Sequence, residues 1–366
     1  MSEMEKPGEQ FEQQNGGIGQ HTLKEIVTQP EAWQAALEVV QANRAGLKGL
    51  WEGGRFSEII VTGCGSTHYL SLAVAPLLQA QTGVRSRAVP ASELLLFPEL
   101  IAPKGGNPLL VTISRSGRTT ETVLAARAFK NSHKCPVLNI GCYPGTELDL
   151  ESDLSLIISE GQEESMVQTR SFSSMLVAAQ AVAALLGDKE SFAGMETLPE
   201  IGRHFMAAEQ ELARQLIQEG FERFYFLGSG LQYGLASEVN LKMKEMSLSV
   251  AEAFHFMEFR HGPMSMVNEK TLVVGLLSDT AQAHELDVLR QMRGLGGKTL
   301  ALSESPVPAD AADFQVNFNS SLPVSKRGVL YLPTLQLLGY YQAIARGLDP
   351  DRPHNLTSVV VLNGAG

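Results

Sequence analysis

The chain has 366 residues, 44% of them hydrophobic, and a formal net charge of −11. This length exceeds one typical domain and suits two of ordinary size, each with enough apolar residues for a core. The acidic balance argues against a nucleic-acid-binding protein, because binding to phosphate backbones needs a basic surface. The three cysteines are sparse and none has zinc-ligand spacing with nearby histidines, so we predict no disulfide framework and no metal site.

The sequence contains no recognisable targeting or membrane-spanning segment. Its N-terminal stretch is acidic and rich in Gln and Gly, unlike a signal peptide. The longest apolar run, Met175–Leu186, is interrupted by Gln180 and is too short to span a bilayer. We therefore expect a cytoplasmic protein that has no membrane partner.

The first half of the chain begins with helical patterns and continues as a strand–helix alternation. Residues 1–20 have few apolar positions, and we predict that they are disordered. Helical patterns run from Leu23 to about Leu50, with Pro30 in the first turn of the second helix. A further helix is expected from about Thr169 to Leu186, and the first domain then covers residues 21–198. Between these helices the predicted strands are Glu58–Thr62, Ser86–Pro90, Leu109–Ser114, Val137–Gly141 and Leu154–Ile158.

The second half repeats this order after a long helix from about Pro199 to Glu219, and we assign it residues 199–350. Strands that alternate with helices predict parallel sheets with right-handed crossovers. We therefore predict an α/β protein of two similar flavodoxin-like or Rossmann-like units, each a five-stranded parallel sheet flanked by helices. One large sheet is the alternative, and the long polar-faced helix argues against it. The predicted strands of this half are Arg223–Leu227, Ala251–Phe256, Leu272–Leu277, Thr299–Ser303 and Phe314–Phe318.

Two strand ends of the first half carry clusters of glycine and small hydroxyl residues. Gly63–Thr67 reads GCGST after the first strand, and Ser114–Glu121 reads SRSGRTTE after the third. Ligands of open α/β sheets bind at the carboxyl ends of strands, where a glycine turn that opens a helix presents free N–H groups. These clusters predict a binding site for a phosphate monoester. The alternative is that the glycines only permit the turns and the hydroxyls only cap helices.

The same turns do not match a dinucleotide-binding fingerprint. The first turn lacks the third glycine of that motif, and no acidic residue is suitably placed at the end of the second strand. We therefore predict that the protein uses no nicotinamide or flavin cofactor.

The candidate acid–base groups lie in and next to the stretch Asn240–Pro263. Glu238, Lys242 and Glu245 recur at helical spacing, which places an acid, an amine and a second acid on one side of a helix. His261 follows on an adjoining piece of structure, so a carboxylate and an imidazole are available for proton transfer. The alternative is a solvated charged helix face followed by a surface histidine.

These segments together resemble the tandem sugar isomerase (SIS) domain proteins. That family includes the isomerase domain of glucosamine-6-phosphate synthase and related sugar-phosphate deaminases and isomerases. The resemblance covers about residues 23 to 361, nearly the whole chain. The matching segments, in order, are Leu23–Ile26 with Gln29-Pro30, Gly63–Thr67, Ser114–Thr119, Glu163–Phe172, Glu238–Glu245, Ala251–Ala253, His261–Pro263 and Asp351–Leu356.

The resemblance implies a role for each matching position. Glu245 corresponds to the glutamate that moves a proton between adjacent sugar carbons, and Glu238 and Lys242 line the same site. His261 corresponds to the ring-opening histidine, which the partner subunit of a homodimer donates. The residues implied to bind the phosphate are Ser66, Ser114, Arg115, Ser116 and Thr119. The residues implied to contact the rest of the substrate are Gly65, Thr67, Gln168, Glu238 and Ser358, the last on a C-terminal tail, 351–366, that returns to the active site.

Sugar-phosphate isomerisation needs groups of these types. A phosphate-binding turn holds the substrate at a distance from the reacting carbons, and its binding energy orients them. A histidine titrates near neutrality and suits ring opening, and a carboxylate such as Glu245 suits the transfer of a carbon-bound proton. A cation such as Lys242 stabilises the enediolate charge. If the sugar carries a 2-amino group, the same transfer gives an imine that water hydrolyses, so isomerase and deaminase share this machinery.

Three departures from the synthase bear on the reaction. The chain carries no glutaminase domain and no N-terminal cysteine nucleophile. Ser358 replaces the lysine that forms an imine with the ketose, and Gln168 and Arg170 replace a serine and a lysine of one loop. The resemblance therefore favours isomerisation or deamination of a sugar phosphate. A non-catalytic sugar-phosphate sensor and a synthase supplied with external ammonia are the alternatives.

Overall fold

The computed structural model describes residues 17–102, 105–187 and 191–357. The predictions for residues 1–16 and for Ser358 concern positions outside this part of the chain. Within these residues, three helices precede the first sheet: α1 (Gln20–Val27), α2 (Gln29–Ala42) and α3 (Arg44–Gly54). Pro30 lies in the first turn of α2, as predicted, where a residue without an N–H loses no intrahelical hydrogen bond.

Five strands and their connecting helices form the first unit. In chain order these are β1 (Glu58–Gly63), α4 (Ser66–Thr82), β2 (Ser86–Pro90), α5 (Ala91–Leu96), α6 (Pro98–Ile101), β3 (Pro108–Ser114), α7 (Thr120–His133), β4 (Val137–Gly141), α8 (Glu147–Glu151), β5 (Leu154–Ile157) and α9 (Arg170–Leu186). Short 3₁₀ turns lie at Ser159–Gly161 and Met195–Thr197.

The second unit follows the long helix α10 (Leu198–Gln218) and likewise has five strands, although no helix separates its last two strands. Its members are β6 (Arg223–Gly228), α11 (Leu231–Ser247), β7 (Val250–Phe254), α12 (Phe256–Phe259), β8 (Thr271–Leu276), α13 (Gln282–Gly294), β9 (Lys298–Ser303), β10 (Phe314–Asn317), α14 (Val324–Arg327) and α15 (Leu332–Ala345). Further 3₁₀ turns lie at Pro263–Met266 and Gly328–Tyr331.

Both sheets have the same topology, with all strands parallel. The strand order is β2-β1-β3-β4-β5 in the first sheet and, read in the same sense, β7-β6-β8-β9-β10 in the second. In each unit the order reverses beside the first strand, and this reversal is where open α/β sheets bind ligands. The prediction of two five-stranded parallel units is confirmed. Most strand ends differ from the prediction by one residue at most. The largest difference is at β7, which stops at Phe254, so that Phe256 opens α12 and does not end the strand.

The turns after β1 and β6 show the internal repeat in their backbone geometry. Gly65 has φ 57° and ψ −125°, and Gly230 has φ 60° and ψ −130°. Side chains other than glycine rarely adopt these values, which explains the second glycine of each turn. The first glycine of each turn is needed because the backbone one turn further on lies too close for a side chain. A Cβ on Gly63 would lie 2.8 Å from the carbonyl carbon of Thr67, and one on Gly228 would lie 2.4 Å from the carbonyl oxygen of Gln232.

The two units meet where α4 packs against α11. A Cβ on Gly234 of α11 would lie 2.4 Å from the backbone nitrogen of Ala73 and 2.7 Å from the carbonyl oxygen of Tyr69. The glycine therefore permits a close helix approach that any side chain would prevent. One apolar cluster of buried residues continues from the first sheet into the second across this contact. Because the helices cross here, the N-terminus of α4 lies beside the C-terminal half of α11.

Helices that could cross a lipid bilayer are absent from residues 17–102, 105–187 and 191–357, since each is too short or too polar.

Candidate active site

A direct contact joins the hydroxyl-rich turn of the first unit to the charged helix of the second. Ser66, the first residue of α4, is buried, and its Oγ accepts a hydrogen bond from Nζ of Lys242 at 3.1 Å. These residues are 176 positions apart in the chain. The candidate site therefore lies between the units, and the packing of α4 on α11 determines its geometry.

Lys242 lies between two carboxylates on α11. Its Nζ is 3.3 Å from Oε1 of Glu238, and it forms a hydrogen-bonded ion pair with Oε2 of Glu245. The side chains of Lys242 and Glu238 are 1% exposed, whereas that of Glu245 is 19% exposed. The predicted shared face of the three residues is therefore observed. It is largely buried, and a solvated surface face is excluded.

Burial affects the ionisation of the two deepest groups differently. Burial raises the pKa of Glu238 to about 8, although the ammonium of Lys242 opposes the shift. Burial by itself lowers the pKa of Lys242, but the adjacent carboxylates outweigh this effect and the pKa is raised. Near neutral pH, Glu238 thus holds a proton while Lys242 stays charged. Glu245, the more exposed of the two carboxylates, is the one that a substrate can reach.

The turn after β3 presents hydroxyl groups around a glycine. Ser114 is buried, and its Oγ accepts the N–H of Gly117 at 3.1 Å. Oγ of Ser116 accepts the N–H of Arg118 at 3.3 Å. Both hydroxyls are thus oriented by accepting a bond, and each keeps its own proton to donate. Thr119 precedes α7 without making a capping hydrogen bond through its side chain, so the capping interpretation does not account for its hydroxyl.

Thr67 and Gly65 have structural tasks in the turn after β1. Oγ1 of Thr67 accepts the N–H of Cys64 at 2.9 Å and donates to the carbonyl of the same residue at 2.9 Å. This hydroxyl is therefore occupied inside the turn, and its substrate contact stays a prediction. A Cβ on Gly65 would meet no atom within 4 Å, so the turn is open on that side.

Arg115 contacts the loop that precedes α9. Its guanidinium is buried, with Nη1 3.0 Å from the carbonyl of Met166 and 3.3 Å from Oε2 of Glu163. The implied phosphate contact of Arg115 stays a prediction. The structure adds a second role, binding to Glu163 and Met166 of the loop, which sequence reasoning did not identify. Gln168 lies in the same loop, and its Oε1 is buried with no hydrogen-bond partner among the described residues.

His261 lies apart from the acid–base cluster of its own chain. It is exposed and follows α12, where its backbone N–H donates to the carbonyl of Glu258 at 3.0 Å. Within the described part of the chain, no hydrogen bond or ion pair joins His261 to Glu245. The implied donation of this histidine across a dimer interface stays a prediction.

Tyr69 is a neighbour of the acid–base cluster that sequence reasoning did not identify. It follows Ser66 by three positions on α4, so the two lie on the same side of that helix. Burial raises the pKa of its phenol, and Glu238, Tyr233 and Glu245 raise it further, in keeping with a position near both carboxylates. The spacing from the hydroxyl-rich turn was the available signal.

The phosphate-binding role of the turn after β3 gives a measurable expectation. We expect Ser116→Ala to weaken the binding of a sugar phosphate by about 1–3 kcal/mol, because a hydrogen bond to a charged acceptor is lost. Isothermal titration calorimetry measures this change. Ser132→Ala, at the far end of α7, is the matched control and should leave affinity unchanged. Equal affinity in Ser116→Ala, Ser114→Ala and the unaltered protein would exclude these turns as the phosphate site.

Comparison with known proteins relates this site to a family. A family model described as SIS domain matches residues 56–185 and 216–342. Glutamine–fructose-6-phosphate aminotransferase (isomerizing) of Sulfurisphaera tokodaii is 29% identical over 350 residues, which cover 94% of this chain and 57% of that protein. The chain thus spans little more than half the length of that relative.

Solved structures of similar size match along almost their whole length. Tagatose-6-phosphate ketose/aldose isomerase from Escherichia coli has a TM-score of 0.82 and 25% identity, over 92% of this chain and 95% of that one. Glucosamine-6-phosphate deaminase from Thermotoga maritima has a TM-score of 0.74 and 27% identity, over 93% and 100% of the two chains. With the SIS model matching each of its two sheets in turn, the chain belongs to the SIS domain family and carries two copies of that domain.

Proposed function

We propose that the protein is a phosphosugar isomerase or deaminase, acting on a ketose 6-phosphate or an amino-sugar 6-phosphate. The observation that carries this proposal is Lys242, which contacts Ser66 of a hydroxyl-rich turn and Glu245 at once. One cation thereby connects a phosphate-binding type of turn with an accessible carboxylate. The isomerase and deaminase names of two similar solved structures support the same assignment.

In the proposed mechanism the sugar phosphate binds at the turns after β1 and β3, and an imidazole opens the ring. Glu245 takes the proton from the carbon next to the carbonyl and returns it to the neighbouring carbon. Lys242 stabilises the enediolate oxygen in a buried setting where a fixed charge is effective. With a 2-amino sugar, the transfer produces a ketose imine, and water converts it to the ketose and ammonia.

A substrate panel tests the proposal. The protein is incubated separately with tagatose, fructose, glucosamine and galactosamine 6-phosphates, while ketose formation and ammonia release are followed in parallel. Turnover of at least one compound supports the proposal, and ammonia release separates deaminase from isomerase. Binding of these compounds without any turnover would instead support a sensor.

We also propose that the active form is a homodimer in which His261 of one subunit completes the site of the other. Its position supports this, since it is exposed and unconnected to Glu245 of its own chain within the described residues. Exposed apolar side chains lie in the same stretch of the chain, at Val250 (61% exposed), Met257 (45%) and Met266 (49%). Apolar residues of this kind are candidates for burial in a subunit interface.

Mixing two inactive variants is expected to restore activity if this sharing occurs. Glu245→Gln and His261→Asn each disable both sites of their homodimers, but a mixed dimer has one site with neither change. After denaturation and joint refolding, we expect about a quarter of the normal activity, because half the dimers are mixed and each has one intact site. Refolding each variant alone is the control. No recovery in a mixture that forms dimers would place His261 in the site of its own chain or outside the reaction.

A further inference from the structure

The proposed mechanism assigns no role to three of the segments that match the SIS family. They are Leu23–Ile26, Gln29-Pro30 and Asp351–Leu356, near the two ends of the described chain. The structure brings all of them to the loop Glu163–Arg170, which precedes α9 and carries Gln168. The loop is thus held by residues from distant parts of the chain.

Glu25 of α1 binds the start of this loop. Its side chain is buried, and Oε1 accepts the backbone N–H of Glu164 at 2.6 Å and that of Ser165 at 3.3 Å. Oε2 accepts the hydroxyl of Ser165. One buried carboxylate therefore receives three hydrogen bonds from two consecutive loop residues.

The corner between α1 and α2 holds the end of the loop. Nε2 of Gln29 donates to Oε1 of Gln336 on α15 at 3.0 Å, and Nε2 of Gln336 donates to the carbonyl of Thr169 at 3.2 Å. Nη1 of Arg170 donates to Oγ1 of Thr28 at 3.1 Å. Helix α1 thus holds the start of the loop, and the corner that follows it holds the end.

The C-terminal segment reinforces α1 and contacts the middle of the loop. Oδ1 of Asp351 accepts the N–H of Thr22 at 2.7 Å and its hydroxyl at 2.6 Å, which caps the N-terminus of α1. The backbone carbonyl of Asp351 accepts the N–H of Met166 at 3.2 Å. Glu25 is therefore carried on a helix that is itself anchored.

The held loop lies against the proposed catalytic helix. Val167 is buried in an apolar cluster with Met246, the residue after Glu245. The next loop residue, Gln168, has a buried Oε1 without a hydrogen-bond partner among the described residues. A buried acceptor without a donor is unfavourable, and a hydroxyl or amino group of a bound ligand would satisfy it.

We propose that Glu25 is a positioning residue, which holds loop Glu163–Arg170 so that the carboxamide of Gln168 accepts a hydrogen bond from a hydroxyl or amino group of the sugar. This inference rests on the proposed function for the identity of the ligand. Glu25 touches no reacting atom in this scheme and acts through the backbone of Glu164 and Ser165.

Glu25→Gln tests the proposal, because a carboxamide keeps the shape but places an N–H₂ group against loop donors. We expect KM for the sugar phosphate to rise about tenfold while kcat changes by less than about threefold, since substrate is held less well but the acid–base groups are intact. Glu31→Gln makes the same change on the exposed face of α2, where the side chain is 58% exposed, and should alter neither constant. A lowered kcat with an unchanged KM would show a merely structural role and would overturn the proposal.

Two further measurements keep this test separate from that of the proposed function. Hydrogen exchange at the amides of Glu164 and Ser165 should become about tenfold faster in Glu25→Gln without any ligand, and unchanged exchange would refute the positioning role even if turnover is found. Adding Ser165→Ala to Glu25→Gln should raise KM by less than Ser165→Ala does in the unaltered protein, because the bond between this hydroxyl and Glu25 is then already weakened, although its bond to the carbonyl of Val167 at 3.1 Å is lost in both cases. Additive effects on KM would likewise overturn the proposal. If no sugar phosphate is turned over, faster exchange still supports Glu25 as the group that holds the loop.

Discussion

Glu245→Gln is expected to lower turnover of the sugar phosphate by roughly 10²–10⁴-fold, the usual contribution of a positioned general base. Glutamine keeps the shape and can still accept a hydrogen bond from Lys242, but it cannot take a proton from carbon. Substrate affinity should persist, because the hydroxyl-rich turns are unchanged. Steady-state kinetics and calorimetry on the same preparation separate the two effects.

Exchange of the substrate's C1 or C2 proton with deuterated solvent gives an independent measurement of the same step. Exchange should fall with turnover in Glu245→Gln, since both require the carboxylate. The matched control is Glu252→Gln, an exposed position on β7, which should behave like the unaltered protein. If exchange and turnover both survived in Glu245→Gln, this carboxylate would be only an ion-pair partner of Lys242, and the proposed mechanism would be wrong.

Lys242→Met is expected to lower both stability and turnover. The ammonium is 1% exposed and compensates two carboxylates, so its removal leaves Glu238 buried without a cation. Breaking a buried ion pair from one side costs about 3–5 kcal/mol. We expect the free energy of unfolding, measured by urea denaturation, to fall by about 3 kcal/mol at pH 8 or above. Turnover should fall by about 10²-fold or more, because enediolate stabilisation is lost.

The stability loss in Lys242→Met should depend on pH with a definite sign. The pKa of Glu238 is raised to about 8 from a usual 4.5, so between these pH values the folded state binds more protons than the unfolded state. Stability therefore falls as pH rises through this range. Without the ammonium the fall should extend to higher pH, and the variant should be less impaired at pH 6 than at pH 8.

A second substitution tests this explanation. Lys242→Met combined with Glu238→Gln should recover part of the lost stability at pH 8 and reduce the pH dependence relative to Lys242→Met, because Glu238 can no longer ionise. Glu209, whose pKa burial also raises to about 8, is present in both variants. Turnover should stay low, since the cation is still absent. Stability that is equally reduced at pH 6 and pH 8 in Lys242→Met would mean that lost packing, rather than an uncompensated carboxylate, explains the defect.

The sequence by itself determined the architecture of this protein and the types of group in its site. Alternating β-rich and helical segments predicted two five-stranded parallel units, because hydrophobic periodicity is a local property that folding preserves. The glycines of Gly63–Thr67 predicted a tight turn, and Gly65 has the positive φ that such a turn needs. Helical spacing placed Glu238, Lys242 and Glu245 together, because residues three and four apart on a helix always share a side.

Tertiary structure decided how distant segments meet and which side chains already form hydrogen bonds within the protein. Helical spacing alone could not show that Lys242 contacts Ser66, because this depends on a close crossing of α4 and α11 at Gly234. It also could not show that the side chains of Arg115 and Thr67 already form hydrogen bonds with backbone groups of the protein. Partners such as Lys242 and Ser66, 176 positions apart, are brought together by packing between elements, and neither periodicity nor motif spacing within one element contains that information.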